Sequence, residues 1–477
     1  MKRLFSVIPL MGVLLLAVPQ IASGWGHLYS TGKYGRFVQQ TADGGYILTG
    51  AHEAATSDFR LFLVKTDSSG TSLWARTYMS TESQVGQGYC VQLTSDGGYI
   101  IVGFRGAPFN TKKLWLIKTD SLGDTSWTRT YGEEYNGRGY FVEVTDDGGY
   151  IITGSMPSSG SGDMFLLKTD SYGNTLWERI YGDAGSDVGH CVRQTADGGY
   201  IITGRTAPNV DAKNRLWLVK TDGNGNKLWD KSYWGISEAN SASYSVQQTA
   251  DGGYVIVGEK DELIALAEGD LWLLKTNANG DTMWTQTYGV NPGYAEWGES
   301  VRQTPDGGYI ITGVRNSQLF RGHDLWLLKT DSLGDTLWTQ TYRSGQSGGI
   351  ATGHCVQLTT DDGYIVSGRR NNSAWLLKTD SLGDTTSTSV IIEQPSAIPA
   401  THWHITQSVG HQIVLQYSDS PHGFTADIFD VTGRKVDELH APLPLGTISW
   451  GQGYESGVYF IRDESDSPTT HKVVLIQ

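Results

Sequence analysis

A four-residue turn, Asp-Gly-Gly-Tyr, begins at Asp43, Asp96, Asp147, Asp197, Asp251 and Asp306, and returns as Asp-Asp-Gly-Tyr at Asp361. Each copy precedes a lysine in a Lys-Thr-Asp or Lys-Thr-Asn motif, at Lys65, Lys118, Lys168, Lys220, Lys275, Lys329 and Lys378. Two motifs that recur seven times in one order, about fifty residues apart, require a fold made of like units. The stretch from Glu299 to Tyr342 shows the unit whole. Its four runs SVRQT, YIITG, DLWLLKT and LWTQTY are rich in β-branched and aromatic residues and are divided by turn residues. Asp306-Gly307 offers the positive dihedrals of a tight hairpin, and Gly334 centres a second turn. The unit therefore reads as an antiparallel meander of strands a, b, c and d. Seven such units predict an all-β, seven-bladed β-propeller.

Strand d carries Trp-x-x-x-Tyr at Trp74/Tyr78, Trp127/Tyr131, Trp177/Tyr181, Trp229/Tyr233, Trp284/Tyr288 and Trp338/Tyr342. After Lys378 it is missing, because Asp380 to Asp384 runs into TTSTSV. The absent strand stands at the other end of the chain, as Trp25-Gly26-His27-Leu28-Tyr29. The propeller is thus expected to close by strand exchange, which removes two open sheet edges.

Residues 1–24 read as a signal peptide: Lys2 and Arg3, an apolar run, then Ala22-Ser23-Gly24. The propeller follows over 25–385, a Ser/Thr-rich linker over 386–400, and a small domain over 401–477. Glycine turns between short alternating strands give that last domain the pattern of an immunoglobulin-like β-sandwich. A net charge of −14 argues against nucleic acid or an anionic membrane surface as partner. Cys90, Cys191 and Cys355 occupy one repeat position in different blades, too far apart for a disulfide, and read as buried thiols.

In the tail, ADIFDVTGRKVDEL, Gly446 to Trp450, Ser456 to Phe460 and Lys472 to Leu475 resemble the C-terminal sorting domain of cargo of the Bacteroidetes-type type IX secretion system. Related immunoglobulin-like domains share the pattern without being sorting signals. The resemblance implies export, with the type IX secretion machinery as a partner and attachment at the cell surface. The blades resemble the delta-sixty repeats of bacterial surface proteins and the tryptophan-docking repeats of quinoprotein propellers, in motifs such as KTDSLGDTLW. Neither resemblance carries a function over.

The repeating tryptophans of strands c and d read as packing between blades. Turns such as DSLGD begin like calcium loops but lack the closing glutamate, so turn chemistry accounts for them and no metal or cofactor is expected. The histidines show no metal-ligand spacing, and His190 and His354, which share one repeat position, read as structural. No nucleophile elbow, zinc-protease helix or P-loop is present. In a meander the a–b and c–d turns share one face, and the b–c and d–a connections share the other. The first set is nearly invariant and the second varies, so the second marks the working face. On it Trp234, Tyr294 and Trp297 are candidate stacking surfaces, with Arg205, Arg315 and Arg369 as polar partners for a glycan or protein ligand. The expected function is a monomeric, non-catalytic binding or adhesion propeller, secreted or at the cell surface. The alternative is a polysaccharide-acting enzyme, a lyase or glycosidase, with its site on the same loops.

Overall fold

The computed structural model describes residues 25–30, 32–54, 58–78, 85–106, 112–132, 137–157, 162–182, 184–209, 212–234, 240–260, 269–289, 296–317, 322–345, 348–385, 390–393, 403–407, 409–410, 412–417, 424–442, 446–463 and 470–475. The signal-like segment 1–24 lies outside them. Two compact units divide the chain, Met1–Glu393 and Gln394–Gln477.

The first unit is all-β and is built from repeated four-stranded antiparallel sheets, consistent with a propeller. Sheet six, with strands Trp297–Gln303, Tyr309–Ser317, Gly322–Thr330 and Thr336–Tyr342 in that order, is typical. Five others repeat it, numbered one to five in chain order, with strands drawn from 34–78, 85–131, 138–181, 188–233 and 241–288. A seventh has five strands: Ala351–Leu358, Tyr364–Arg370, Ser373–Thr379, then Trp25–Tyr29 and Val390–Glu393. Strand a is innermost, lying beside strand a of the next sheet, and strand a of sheet seven lies beside that of sheet one.

One side-chain device explains why the two repeated motifs travel together. Asp43 Oδ1 accepts the Gly45 amide at 3.0 Å and the Thr41 hydroxyl at 2.5 Å, closing the a–b turn, where Gly44 has φ +80°. The same carboxylate takes the strand-c lysine, Lys65 Nζ, at 2.7 Å, while that ammonium also donates to the Thr66 carbonyl at 2.8 Å. Lys118–Asp96, Lys168–Asp147, Lys220–Asp197, Lys275–Asp251, Lys329–Asp306 and Lys378–Asp361 repeat the pair at 2.7–2.9 Å. A buried ammonium needs a partner, so lysine in strand c demands aspartate in the a–b turn. In the c–d turns the leading oxygen serves the backbone: Asp331 Oδ1 accepts the amides of Leu333 and Asp335, both at 2.9 Å.

Sheets are joined by strand d. The tryptophan of each outer strand packs against the turn tyrosine of the next sheet, as in Trp127–Tyr150 and Trp284–Tyr309, with ring centroids 6.1 and 5.9 Å apart. It also covers the c–d turn glycine of that sheet. A Cβ on Gly173 (φ +76°) would stand 2.8 Å from the Trp127 ring, so glycine is required there by space and backbone alike. The strand-d tyrosine hydroxyl donates to that same glycine's carbonyl, Tyr131 to Gly173 and Tyr181 to Gly225 at 2.6 Å.

Trp25–Tyr29 reproduces these contacts between sheets seven and one. It pairs antiparallel with Ser373–Thr379, from Trp25 opposite Lys378 to Tyr29 opposite Ala374. Trp25 packs on Tyr46 at 5.7 Å, and Tyr29 donates to the Gly70 carbonyl at 2.5 Å. Thr360 N donates to Gln40 Oε1 at 2.9 Å, the bond that Ala196 makes to Gln248 between sheets four and five. Within the stretch expected to be linker, Val390–Glu393 runs parallel to residues 26–29 as a fifth strand. The three cysteines are free and buried, Cys90 Sγ lying 3.4 Å from the Val142 carbonyl of the next sheet.

The second unit has a three-stranded sheet (Trp403–Gln407, Ile413–Tyr417, Gly446–Trp450) and a five-stranded one containing Phe424–Asp430, Lys435–Ala441 and Gly457–Asp463. Ile413, Leu415 and Trp450 of the first share a core with Ala426, Ile428 and Ile461 of the second. Buried Trp450 donates its indole N–H to Asp437 Oδ2 at 2.8 Å.

Candidate functional site

Every strand a contains a β-bulge two or three residues after the chain enters from the d–a connection or shortly beyond it. The register shifts between Gly35 and Phe37, Gly88 and Cys90, Gly139 and Phe141, Gly189 and Cys191, Ser243 and Ser245, Gly298 and Ser300, and Gly353 and Cys355. A bulge frees one residue per strand from the ladder and re-aims its side chain. The freed residues are Arg36, Tyr89, Tyr140, His190, Tyr244, Glu299 and His354, one from each sheet, and all seven line a single cavity of about 260 Å³. They sit at the end of strand a remote from the Asp-Gly-Gly-Tyr turns, toward the face with the variable connections.

The cavity has two unlike halves. Sheets two to five supply a run of rings: Tyr89 to Tyr140 at 5.0 Å and 61°, Tyr140 to His190 at 5.6 Å and 72°, His190 to Tyr244 at 5.1 Å and 31°. His190 Nδ1 lies 2.7 Å from the Ser243 carbonyl and must donate to it. Burial pushes this imidazole down to about 4, so it is neutral at pH 7 and its Nε2 is left as an acceptor. Tyr244 donates to Glu259 Oε1 at 2.7 Å, which fixes its ring.

Sheets six, seven and one supply the charged half. Trp297 Nε1 donates to Glu299 Oε1 at 2.9 Å, and His354 Nδ1 stands 3.9 Å from the same oxygen. Burial alone would raise the Glu299 carboxyl; nearby His354 and Trp297 outweigh it and hold the group below its usual range. Burial and the charge of Arg36 keep His354 low, so it too is neutral near pH 7. The Arg36 guanidinium lies 5.1 Å over the Tyr34 ring and 5.9 Å over Tyr89, and its Nε has no hydrogen-bond partner among the described residues.

Beneath lies a second layer from strand a: Gln39, Gln92, Glu143, Arg193, Gln247, Arg302 and Gln357. Arg193 pairs with Glu143 at 3.2 Å. Arg302, which reaches the cavity, has Gln247 in the place of Glu143 and bonds the sheet on its other side: its Nε donates to Gln357 Oε1 at 3.0 Å and one terminal nitrogen to the Val301 carbonyl at 2.7 Å. Among the described residues no carboxylate pairs with it. Burial, then repulsion from Arg193, holds its guanidinium below its usual range.

None of the described residues singled out from sequence lines this cavity. Trp297 orients Glu299 from behind and meets His323 edge-on at 5.7 Å. Arg205 acts on His190 through its charge. Arg369 donates to the Tyr34 hydroxyl at 3.1 Å and acts on His354. Arg315 stacks on Trp326 at 5.6 Å, a contact within its own sheet. Trp234 is 40% exposed, with the Arg215 guanidinium 3.3 Å from its ring centroid. Tyr294 lies outside the described residues. His190 and His354, read from sequence as structural, line the cavity beside Tyr89, Tyr140, Tyr244, Arg36 and Glu299. The signal that finds them is the residue after the strand-a glycine, or after Ser243 in sheet five, which changes between copies inside a strand otherwise repeated.

No family model matches the chain, and no curated protein matches it. Among solved structures it is similar to PorZ, described as an essential bacterial surface component of the type IX secretion system of Porphyromonas gingivalis, at 11% identity and a TM-score of 0.43; the match covers 90% of this chain and 58% of that one. It is also similar to Sqt1 from Chaetomium thermophilum (11%, 0.43, 82% and 96% covered) and to Drosophila Plexin A in complex with Semaphorin 1b (7%, 0.44, 76% and 87%). The class is set by the sheets of the chain itself, an all-β repeat of four-stranded antiparallel units, and its function is read from its own residues.

Proposed function

We propose that this chain is an exported, non-catalytic seven-bladed β-propeller, closed by exchange of Trp25–Tyr29, that binds a ligand at the centre of its variable face. One observation carries the reading. In a chain that copies its turns, lysines and tryptophans seven times over, the bulged position holds Arg36, Tyr89, Tyr140, His190, Tyr244, Glu299 and His354, and these meet in one cavity. Scaffold needs repetition, whereas recognition of an asymmetric ligand needs difference. The expected result is a hit on a glycan or protein array that Tyr140→Ala and Glu299→Gln each weaken roughly tenfold or more. A hit indifferent to both, and lost instead on changing Trp234, would move the site out to the loops.

The Glu299–His354 pair, a carboxylate and a neutral imidazole in one cavity, supports the second reading, a polysaccharide-acting enzyme. Shortened products from a bound oligosaccharide would replace binding by catalysis.

The resemblance of the tail to a sorting domain supports a role in secretion and surface attachment. Deletion of 401–477 in a host with the type IX machinery should leave the protein inside the cell envelope. Its normal arrival outside would remove this part of the proposal.

A further inference from the structure

We propose that the central cavity takes a carboxylate-bearing sugar, one hexuronate ring at a time, free or as the end residue of an acidic polysaccharide. This rests on the reading of the cavity as a binding site, and adds the chemistry of what enters.

Three observations converge on it. The first is Arg302. Two arginines stand in the layer beneath the cavity, and only Arg193 has a carboxylate, Glu143. Glu143 lies in the sheet before Arg193; the same place in the sheet before Arg302 holds Gln247, and in the sheet after it Arg302 Nε meets Gln357, so both neighbours are acceptors without charge. Arg302 is only 7% exposed, and a guanidinium buried that deeply without an opposite charge is unfavourable unless an anion completes it. Two of its nitrogens are tied down, so it is already oriented. The second is the wall of Tyr89, Tyr140, His190 and Tyr244. A run of neighbouring aromatic rings suits a ligand with an apolar face, as a pyranose ring has. The third is Glu299, from the sheet next to that of Tyr244. A carboxylate in a cavity that also holds Arg36 and Arg302 repels a multiply charged anion and accepts hydrogen bonds from hydroxyl groups. A single carboxylate together with hydroxyls satisfies both demands, and neither a neutral sugar nor a phosphate ester does. The volume, about 260 Å³, falls below the roughly 300–1,000 Å³ of pockets for drug-sized ligands and limits the occupant to about one ring.

The test is calorimetric titration of the full chain with glucuronate, with glucose as the neutral counterpart, and with a short oligoglucuronate. Glucuronate should bind and glucose should bind roughly tenfold or more weakly, the worth of one charge-assisted hydrogen bond. Arg302→Gln should erase that difference. Because loss of a buried arginine can disturb folding, the decisive variant is Gln357→Glu, which keeps Arg302 and puts a carboxylate where its Nε already donates. It should abolish the preference for glucuronate while leaving the melting temperature unchanged or raised. Competition by the monosaccharide against the oligomer identifies an end residue. An oligomer that glucuronate cannot displace would put the contacts outside the cavity and overturn the proposal. Equal binding of glucose and glucuronate, or a Gln357→Glu protein that keeps its preference, would overturn the acidic class and leave the binding site standing. An array ligand indifferent to Tyr140→Ala and Glu299→Gln would instead overturn the site itself.

Discussion

A chain that begins at Tyr34 should unfold at a markedly lower urea concentration than the chain that keeps Trp25–Tyr29. The lost strand pairs along its whole length with Ser373–Thr379, and its removal bares that strand's outer edge. It also takes away two of the side chains that join sheet seven to sheet one. Trp25 lies so close on the first c–d turn that a Cβ on Gly70 would stand 2.4 Å from its ring, and Tyr29, only 3% exposed, bonds the Gly70 carbonyl. Removing a large packed aromatic costs roughly 3–5 kcal/mol, and every other junction keeps its own. Trp25→Ala alone should reproduce a large part of the loss. An unchanged midpoint for the chain beginning at Tyr34 would show that residues after Asp384, which already supply Val390–Glu393 to this sheet, move in to take the outer place.

The seven lysine–aspartate pairs lead to the second large effect, on acid stability. Burial works against each aspartate, but the lysine, the threonine hydroxyl and the glycine amide together hold Asp43, Asp96, Asp147, Asp197, Asp251 and Asp306 down to about 2, and Asp361 is lowered in the same way. An aspartate in the unfolded chain titrates near 4. The folded state therefore binds fewer protons over this interval. The stabilisation is complete above about pH 4 and disappears as pH falls through about 2. Urea midpoints measured down through that window should fall steeply, with several protons taken up together on unfolding. Asp147→Asn should reduce the uptake by about one proton. The aspartates are 37–61% exposed, so salt should blunt the effect. A flat profile from pH 5 to 2 would show that the pairs contribute nothing to stability.

Much of the fold is legible because the physics of a sheet repeat is local. Asp-Gly turns, β-branched runs and a Trp-x-x-x-Tyr strand each announce themselves within a few residues, and the displaced Trp25–Tyr29 is visible as the one strand missing from a count. The pairing of Lys65 with Asp43 was equally present as two motifs that always occur together, yet its meaning appears only when strand c is placed beside the a–b turn. The site was harder to find for a different reason. Repetition marks scaffold and variation marks recognition, but the variation that matters is not confined to the loops. It includes single positions inside strand a, where His190 beside Cys191 and His354 beside Cys355 look like copies of a core pattern. A bulge has no composition of its own, so the outward or inward turn of one residue cannot be read from its neighbours. Trp234, an exposed ring in a variable connection, is occupied by Arg215 at 3.3 Å.

The bulge also bears on how such a protein can change. Because the extra residue in each strand a makes no ladder pair, exchanging it disturbs neither the register of its sheet nor the tryptophan and tyrosine joints at the rim. The seven positions behave as a short word written in a fixed frame, each letter chosen without rewriting the rest. At the proposed site, one or two such substitutions would change what the cavity presents while the copied strands around it hold the frame.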